Sequence, residues 1–153
     1  MVIVAKGGIM IKYMGLDVGS KTIGIAVSDD FGWTAQPVTT LMRRKIDVDF
    51  EKLMEIIDKY EVSGIVIGLP KNMNGSLGSS AEKVIEFADF LKSNLTIPVD
   101  YWDERMSTQA VRRTLIEADV SRKKRKKVID KLAAVYILQG YLDFLDHQKD
   151  KSE

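Results

Sequence analysis

Three carboxylates stand where packing alone gives little reason for them. Asp17 closes an apolar stretch in Met14–Gly15–Leu16–Asp17–Val18–Gly19, and Glu104 follows Tyr101–Trp102–Asp103. Asp130 interrupts an apolar helical pattern beside Ala133 and Ala134. Each has a plain structural reading: a turn aspartate, a surface glutamate paired with Arg105, and an acid favoured by the dipole near a helix start. Together they point to a chemistry. The chain has no cysteine and a single histidine, His147, in a charged terminal stretch. Thiol catalysis and cysteine-type zinc sites are excluded, and little is left for a Ser–His pair. Several carboxylates without His or Cys suit a hard cation. Mg2+ or Mn2+ takes oxygen ligands and accepts others from water and a substrate phosphate. Two such ions about 3.5–4 Å apart can activate water and stabilise the leaving oxygen of a phosphodiester.

A second feature fits the same chemistry. The net charge is +1, yet Arg122, Lys123, Lys124, Arg125, Lys126 and Lys127 form one basic block, which leaves the rest of the chain at −5. Such a block is either a solvated loop or a contact for a polyanion such as a phosphate backbone. Six like charges in a row are expected to keep the segment irregular until phosphates neutralise it. Near Asp17, Lys21 and Ser20 are candidates for phosphate contact, as is Arg105 beside Glu104. Gly15, Gly19 and Gly24 around Asp17 suggest a backbone kept open for a ligand's close approach.

These residues need a scaffold, and 153 residues suffice for one domain with its own core. Residues 1–9 read as a leader outside the fold, with Met10 a candidate initiator; 10–146 form the domain and 147–153 a charged tail. Lys6 interrupts the early apolar stretch, so no secretory signal is evident, and the absence of cysteine points to the cytoplasm. No apolar run reaches the roughly 18 residues that would span a bilayer. The alternation of Ile23, Ile25 and Val27 with smaller residues makes 22–28 a strand, paired as a hairpin with 11–18. A third strand over 34–42 carries Pro37, which pushes it to a sheet edge.

Helical spacing of Phe50, Leu53, Met54, Ile57 and Tyr60 then gives a first helix. Ile65–Val66–Ile67 reads as a buried parallel strand, followed by a polar loop from Pro70 to Gly78. Ser79 and Glu82 form a capping-box pattern that opens a second helix. Another strand runs from Pro98 to Asp103, and Ser107 is expected to cap a third helix with Val111, Thr114, Leu115 and Ala118. The basic block separates it from a last helix over about 127–145, apolar on nearly every side. The order β-β-β-α-β-α-β-α-α is an α/β domain in which a meander joins crossover units into a mixed five-stranded sheet covered by helices. Burial within one chain explains the last helix, so it fixes no oligomeric state. Trp33 and Trp102 read as core or edge residues and not as a base-stacking row.

The motifs resemble the YqgF family, also called RuvX. They are Gly15–Leu16–Asp17–Val18–Gly19–Ser20–Lys21–Thr22–Ile23–Gly24, Gly68–Leu69–Pro70 with Asn74–Gly75, Asp103–Glu104–Arg105–Met106–Ser107–Thr108, and Asp130–Lys131–Leu132–Ala133–Ala134, in family order. The resemblance implies an RNase H-like fold with strand order 3-2-1-4-5. It implies a cytoplasmic nuclease of ribosome biogenesis that processes the 5′ end of precursor 16S rRNA. An alternative assignment is a Holliday junction resolvase acting on branched DNA. Carried over by motif, Asp17, Glu104 and Asp130 are the metal-binding and catalytic acids. Ser20, Lys21, Asn74, Arg105 and the run Arg122, Lys123, Lys124, Arg125 and Lys126 are the candidate substrate contacts, against a plain reading in which Arg105 pairs with a neighbouring acid and Lys21 and the run are solvated. Many RNase H-like enzymes place an acid at the end of the fourth strand, where this chain has Gly68–Leu69–Pro70, so Glu104 must substitute for it. Two rivals remain in the residues themselves. The Asp17–Thr22 stretch also resembles the phosphate loop of actin-like ATPases, which need two such domains. An RNase H-like module could also bind nucleic acid without cutting it.

Overall fold

The computed structural model describes residues 11–71, 74–103 and 122–152, with backbone alone over 122–131 and 149–152. Five strands, β1 (Tyr13–Val18), β2 (Thr22–Ser28), β3 (Ala35–Met42), β4 (Gly64–Leu69) and β5 (Val99–Asp103), form one sheet in the order β3-β2-β1-β4-β5. β1 pairs antiparallel with β2 and parallel with β4, and β4 pairs parallel with β5. Pro37 does lie on an edge strand, where its missing N–H costs no ladder bond, and the β2–β3 register shifts beside it.

The period of two sorts the strands between two cores. Met14, Leu16, Ile23, Ile25, Val27, Ile65 and Ile67 face one side with Leu53 and Ile57 of α1 (Ile46–Tyr60) and Val84, Phe87 and Leu91 of α2 (Ser79–Asn94). Fully burying each such side chain is worth about 1.5–3 kcal/mol. The opposite face carries Ala26, Ala35 and Val66, covered by Ala134, Ile137, Leu138 and Leu142 of α3 (Arg122–Ser152). α3 packs against all five strands. It comes this close because the sheet under it is small: a Cβ on Gly15 would lie 2.7 Å from Leu138 Cβ and 3.0 Å from the Ala134 carbonyl. Gly15 therefore serves helix packing, and not the ligand approach its sequence neighbourhood suggested.

Two helix boundaries also differ from expectation. α2 is capped by Gly78, whose carbonyl accepts the Glu82 N–H at 3.2 Å, with no side-chain cap, so Ser79 lies inside the helix and the capping box does not form. The basic block is the start of α3 and not a loop, since α3 begins at Arg122. Lys and Arg are good helix formers, and that preference outweighs repulsion between like charges. The same helix continues through His147 to Ser152. The expected third helix, from Ser107, lies outside the described residues.

Where α3 crosses β1 and β5, three aromatic residues and an acid interlock. The Tyr141 hydroxyl donates to Asp100 Oδ2 at 3.0 Å, and Tyr141 stands edge-on to both Tyr13 and Trp102. Desolvation, then the hydrogen bond and charge of Asp100, push the Tyr141 phenol well above its usual range. Desolvation and Asp100 also raise Tyr13. Raised phenols are neutral in the fold, so their contribution is full below the unfolded pKa and lost as pH rises through the folded one. Stability should therefore fall above about pH 10. In alkaline denaturant titrations Tyr141→Phe should flatten that fall; an unchanged alkaline slope would assign it to other groups.

Candidate active site

The candidate site lies at the carboxyl ends of β1 and β4, the end at which β5 also finishes. Leu16 belongs to the α1–α2 core while Gly15 touches α3, so the half-buried Asp17 falls on the α3 face. Gly24 pairs with Asp17 on the β2 side, and on the β4 side Gly68 follows Ile67, the partner of Leu16. Asp17 thus stands between two strand positions that present no side chain.

α3 brings its acid to the same end. Tyr141 meets Tyr13 at the start of β1 at 5.4 Å between ring centroids, while Ala134 and Leu138 lie over Gly15 at its middle. The helix therefore runs antiparallel to β1, and its next turn toward the N-terminus carries Asp130. One helical turn rises about 5.4 Å and two strand residues about 6.6 Å. The Asp130 backbone accordingly stands about level with Asp17. It lies two turns into α3, not one, so the macrodipole of the first turn no longer accounts for an acid there. The Asp130 side chain, Glu104 and Arg105 lie outside the described residues, as do the side chains from Arg122 to Lys127. Asp103, which directly precedes Glu104, ends β5 in register with Leu69.

The β1–β2 turn is compact. The Gly19 N–H donates to the Thr22 carbonyl at 2.8 Å, leaving Ser20 and Lys21 exposed. After β4, the Asn74 carboxamide oxygen accepts from the Ser76 N–H at 3.0 Å and from its hydroxyl at 2.6 Å. Gly75 takes φ +87° beside it. The oxygen of Asn74 thus shapes the loop.

Trp102 joins the α3 core, where a Cβ on Gly140 would come within 2.8 Å of its indole nitrogen. Trp33, by contrast, is 68% exposed and stacks on Phe31 at 5.2 Å in the β2–β3 turn, at the end of the sheet away from Asp17. Two residues that the motifs did not single out stand beside the site. Arg43 donates to the Gly19 carbonyl at 2.9 Å, and Asp49 is fully buried behind it. Asp49 was legible as an acid on the inward stripe of α1, four residues before Leu53 and eight before Ile57. Among the described residues no three acids or histidines stand close enough to hold a metal. The donor chemistry of Asp17 and Asp130 nonetheless fits a hard cation, since both offer only carboxylate oxygens.

Comparison with known proteins gives the fold its context. The chain is similar in structure to Thermus thermophilus RuvC in complex with a Holliday junction substrate, with a TM-score of 0.53 at 11% identity, covering 83% of this chain and 91% of that one. Fowlpox virus resolvase bound to junction DNA gives a TM-score of 0.50 at 12% identity, covering 88% and 99%. The topology and these likenesses define an RNase H-like fold. In sequence, a Clostridium botulinum protein named for pre-16S rRNA nuclease activity is 57% identical over 134 residues, 88% of this chain and 98% of that protein. A Heliobacterium modesticaldum protein of the same name is 54% identical over 142 residues, 93% and 95%. Residues 11–144 match the RuvX family, described as Holliday junction resolvase. The chain belongs to that family, and its class is a hydrolase of phosphodiester bonds.

Proposed function

We propose that this protein is a metal-dependent nuclease that trims the 5′ end of precursor 16S rRNA in the cytoplasm. What carries the reading is register: Asp17 lies between Gly24 and Gly68, two residues beyond Gly15, and Asp130 is one helical turn before Ala134, which packs over Gly15. The 57% identity to a relative named for that activity supports the substrate. Asp17, Asp130 and Glu104 would hold Mg2+ or Mn2+. When bound, the ions would supply Lewis-acid stabilisation of phosphate oxygens and lower the pKa of water. Lys21, Ser20 and Arg105 would grip the phosphates beside the scissile bond, with Asn74 contributing from the β4–α2 loop. No helix among the described residues is long and apolar enough to cross a membrane. The second reading, cleavage of branched DNA, rests on the family description. Parallel cleavage of a precursor rRNA fragment and a four-way DNA junction decides between them. Binding of both with cleavage of neither, in either metal, would leave a non-catalytic module.

The start of α3 supplies a second test. In this reading Arg122, Lys123, Lys124, Arg125 and Lys126 contact phosphates and not bases, which gives affinity without sequence choice. Lys123, Lys124 and Lys126 replaced together by Gln keep helix propensity while removing charge. For every phosphate contact removed, the log–log salt slope of binding should shrink in magnitude by about 0.7–0.9. Affinity should fall alike for all sequences. An unchanged slope would make the run a solvated helix end.

A further inference from the structure

Arg43 lies outside the motifs of the site, yet it is the residue that closes the turn following Asp17. Its N–H donates to the Lys21 carbonyl at 2.9 Å, extending the β2–β3 ladder beyond Thr22 and Met42. Its guanidinium donates through Nη1 to the Gly19 carbonyl at 2.9 Å and lies 5.2 Å from the Phe87 ring centroid. One residue thus ties down both ends of the segment that exposes Ser20 and Lys21. Behind it, Asp49 is 0% exposed: Oδ1 accepts the Arg44 N–H at 2.9 Å, and Oδ2 faces Arg43 Nε at 3.8 Å. Among the described residues Oδ2 has no hydrogen-bond partner. Burying a carboxylate with one oxygen unmet costs free energy, and an apolar side chain would serve the α1 core better. What the acid adds is a fixed charge that aims the guanidinium at Gly19. Lysine cannot reproduce this, because the planar fork is what lets one side chain bond the carbonyl and face the acid together.

We propose that Arg43, aimed by buried Asp49, is a positioning residue that holds the Gly19–Lys21 turn in the conformation that presents Lys21 to a substrate phosphate. The part played by Lys21 rests on the nuclease reading; the restraint on the turn does not.

The experiment combines amide hydrogen exchange of the free protein with RNA binding by wild type, Arg43→Met, Arg43→Lys, Lys21→Ala and the Arg43→Met/Lys21→Ala double variant. In Arg43→Met and Arg43→Lys, exchange at the amides of Gly19 and residue 43, which donate to the Thr22 and Lys21 carbonyls, should quicken about tenfold or more while protection in β4 is unchanged. Asp49→Asn, where it folds, should quicken the same amides. Arg43→Met should weaken binding about as much as Lys21→Ala, and the double variant should bind no worse than Lys21→Ala, because Arg43 acts through Lys21. Unchanged exchange in the turn overturns the proposal, as does a uniform rise across the whole domain, which marks a plain stability role. Additive losses with a further fall in salt slope of about 0.7–0.9 overturn it in favour of a direct phosphate contact. If Lys21→Ala binds normally, the phosphate role of Lys21 fails and the exchange result alone decides the restraint.

Discussion

Replacement of Asp17 by Asn should abolish cleavage and leave binding and fold in place. The change keeps shape and removes the charge that a hard cation requires, and amide oxygen is a poor substitute in a site with few ligands. Losing about 3 kcal/mol of transition-state stabilisation lowers the rate by a factor of more than about 100. The fold should hold because Asp17 is half buried near the end of β1, outside both apolar cores. Single-turnover cleavage, salt-dependent binding and a melting curve on the same sample check the three parts. Cleavage within a few-fold of wild type would remove Asp17 from the site. A melting temperature well below wild type would assign it to stability.

Gly15→Ala should disturb the fold far more than the size of one methyl group suggests. The new Cβ would stand 2.7 Å from Leu138 Cβ and 3.0 Å from the Ala134 carbonyl, atoms at or next to the helix backbone. No rotamer change relieves that contact; α3 must move. Overpacking of this kind costs about 1–3 kcal/mol. At about 2–4 °C per kcal/mol for a chain of this size, the melting temperature should drop by several degrees. The moving helix also bears Asp130, so activity at a temperature where the variant is fully folded should fall as well. Gly64→Ala is the control, because its Cβ would meet the Tyr13 ring at 2.9 Å, far from the carboxyl ends of the strands. It should lose stability without a matching loss in the rate of the folded enzyme. Equal activity losses in the two variants would break the link between helix position and chemistry.

The sheet was legible because its residues repeat a period that only a strand explains: Ile23, Ile25 and Val27 face the α1–α2 core while Gly24, Ala26 and Ser28 alternate with them. The meander and crossovers gave a mixed five-stranded sheet, and its strand order followed from the family resemblance. What the sequence hid were contacts between distant segments. Gly15 reads as a ligand glycine because Leu138, the side chain it makes room for, is remote in sequence. The start of α1 at Ile46 is hidden because Lys45 provides no side-chain cap, and the acid there, Asp49, turns its Oδ1 back to the Arg44 N–H. The basic run reads as a loop when charge repulsion is weighed above helix propensity. Of the site, Asp17 and the level of Asp130 follow from register and helix direction, both readable once α3 is known to cross β1 antiparallel. Arg43 was not readable, since its partner is the backbone carbonyl of Gly19, which carries no side-chain signal.

α3 has one more consequence. From Arg122 to Ser152 it is a single helix that lies on every strand and, among the described residues, supplies the helical apolar cover of one sheet face. The turn level with Asp17 directly precedes the section of the same rod, from Ala134 on, that keeps Val66, Ala26 and Ala35 dry. Fraying from Ser152 can proceed without disturbing Asp130, whereas unwinding from Arg122 reaches Asp130 before the core residues Ala134, Ile137 and Leu138. Excursions that move Asp130 should thus be separable from the opening that unseats Ala134 and Leu138 from the sheet. Ala134 and Leu138, seated on Gly15, are then the anchor from which the turn bearing Asp130 extends.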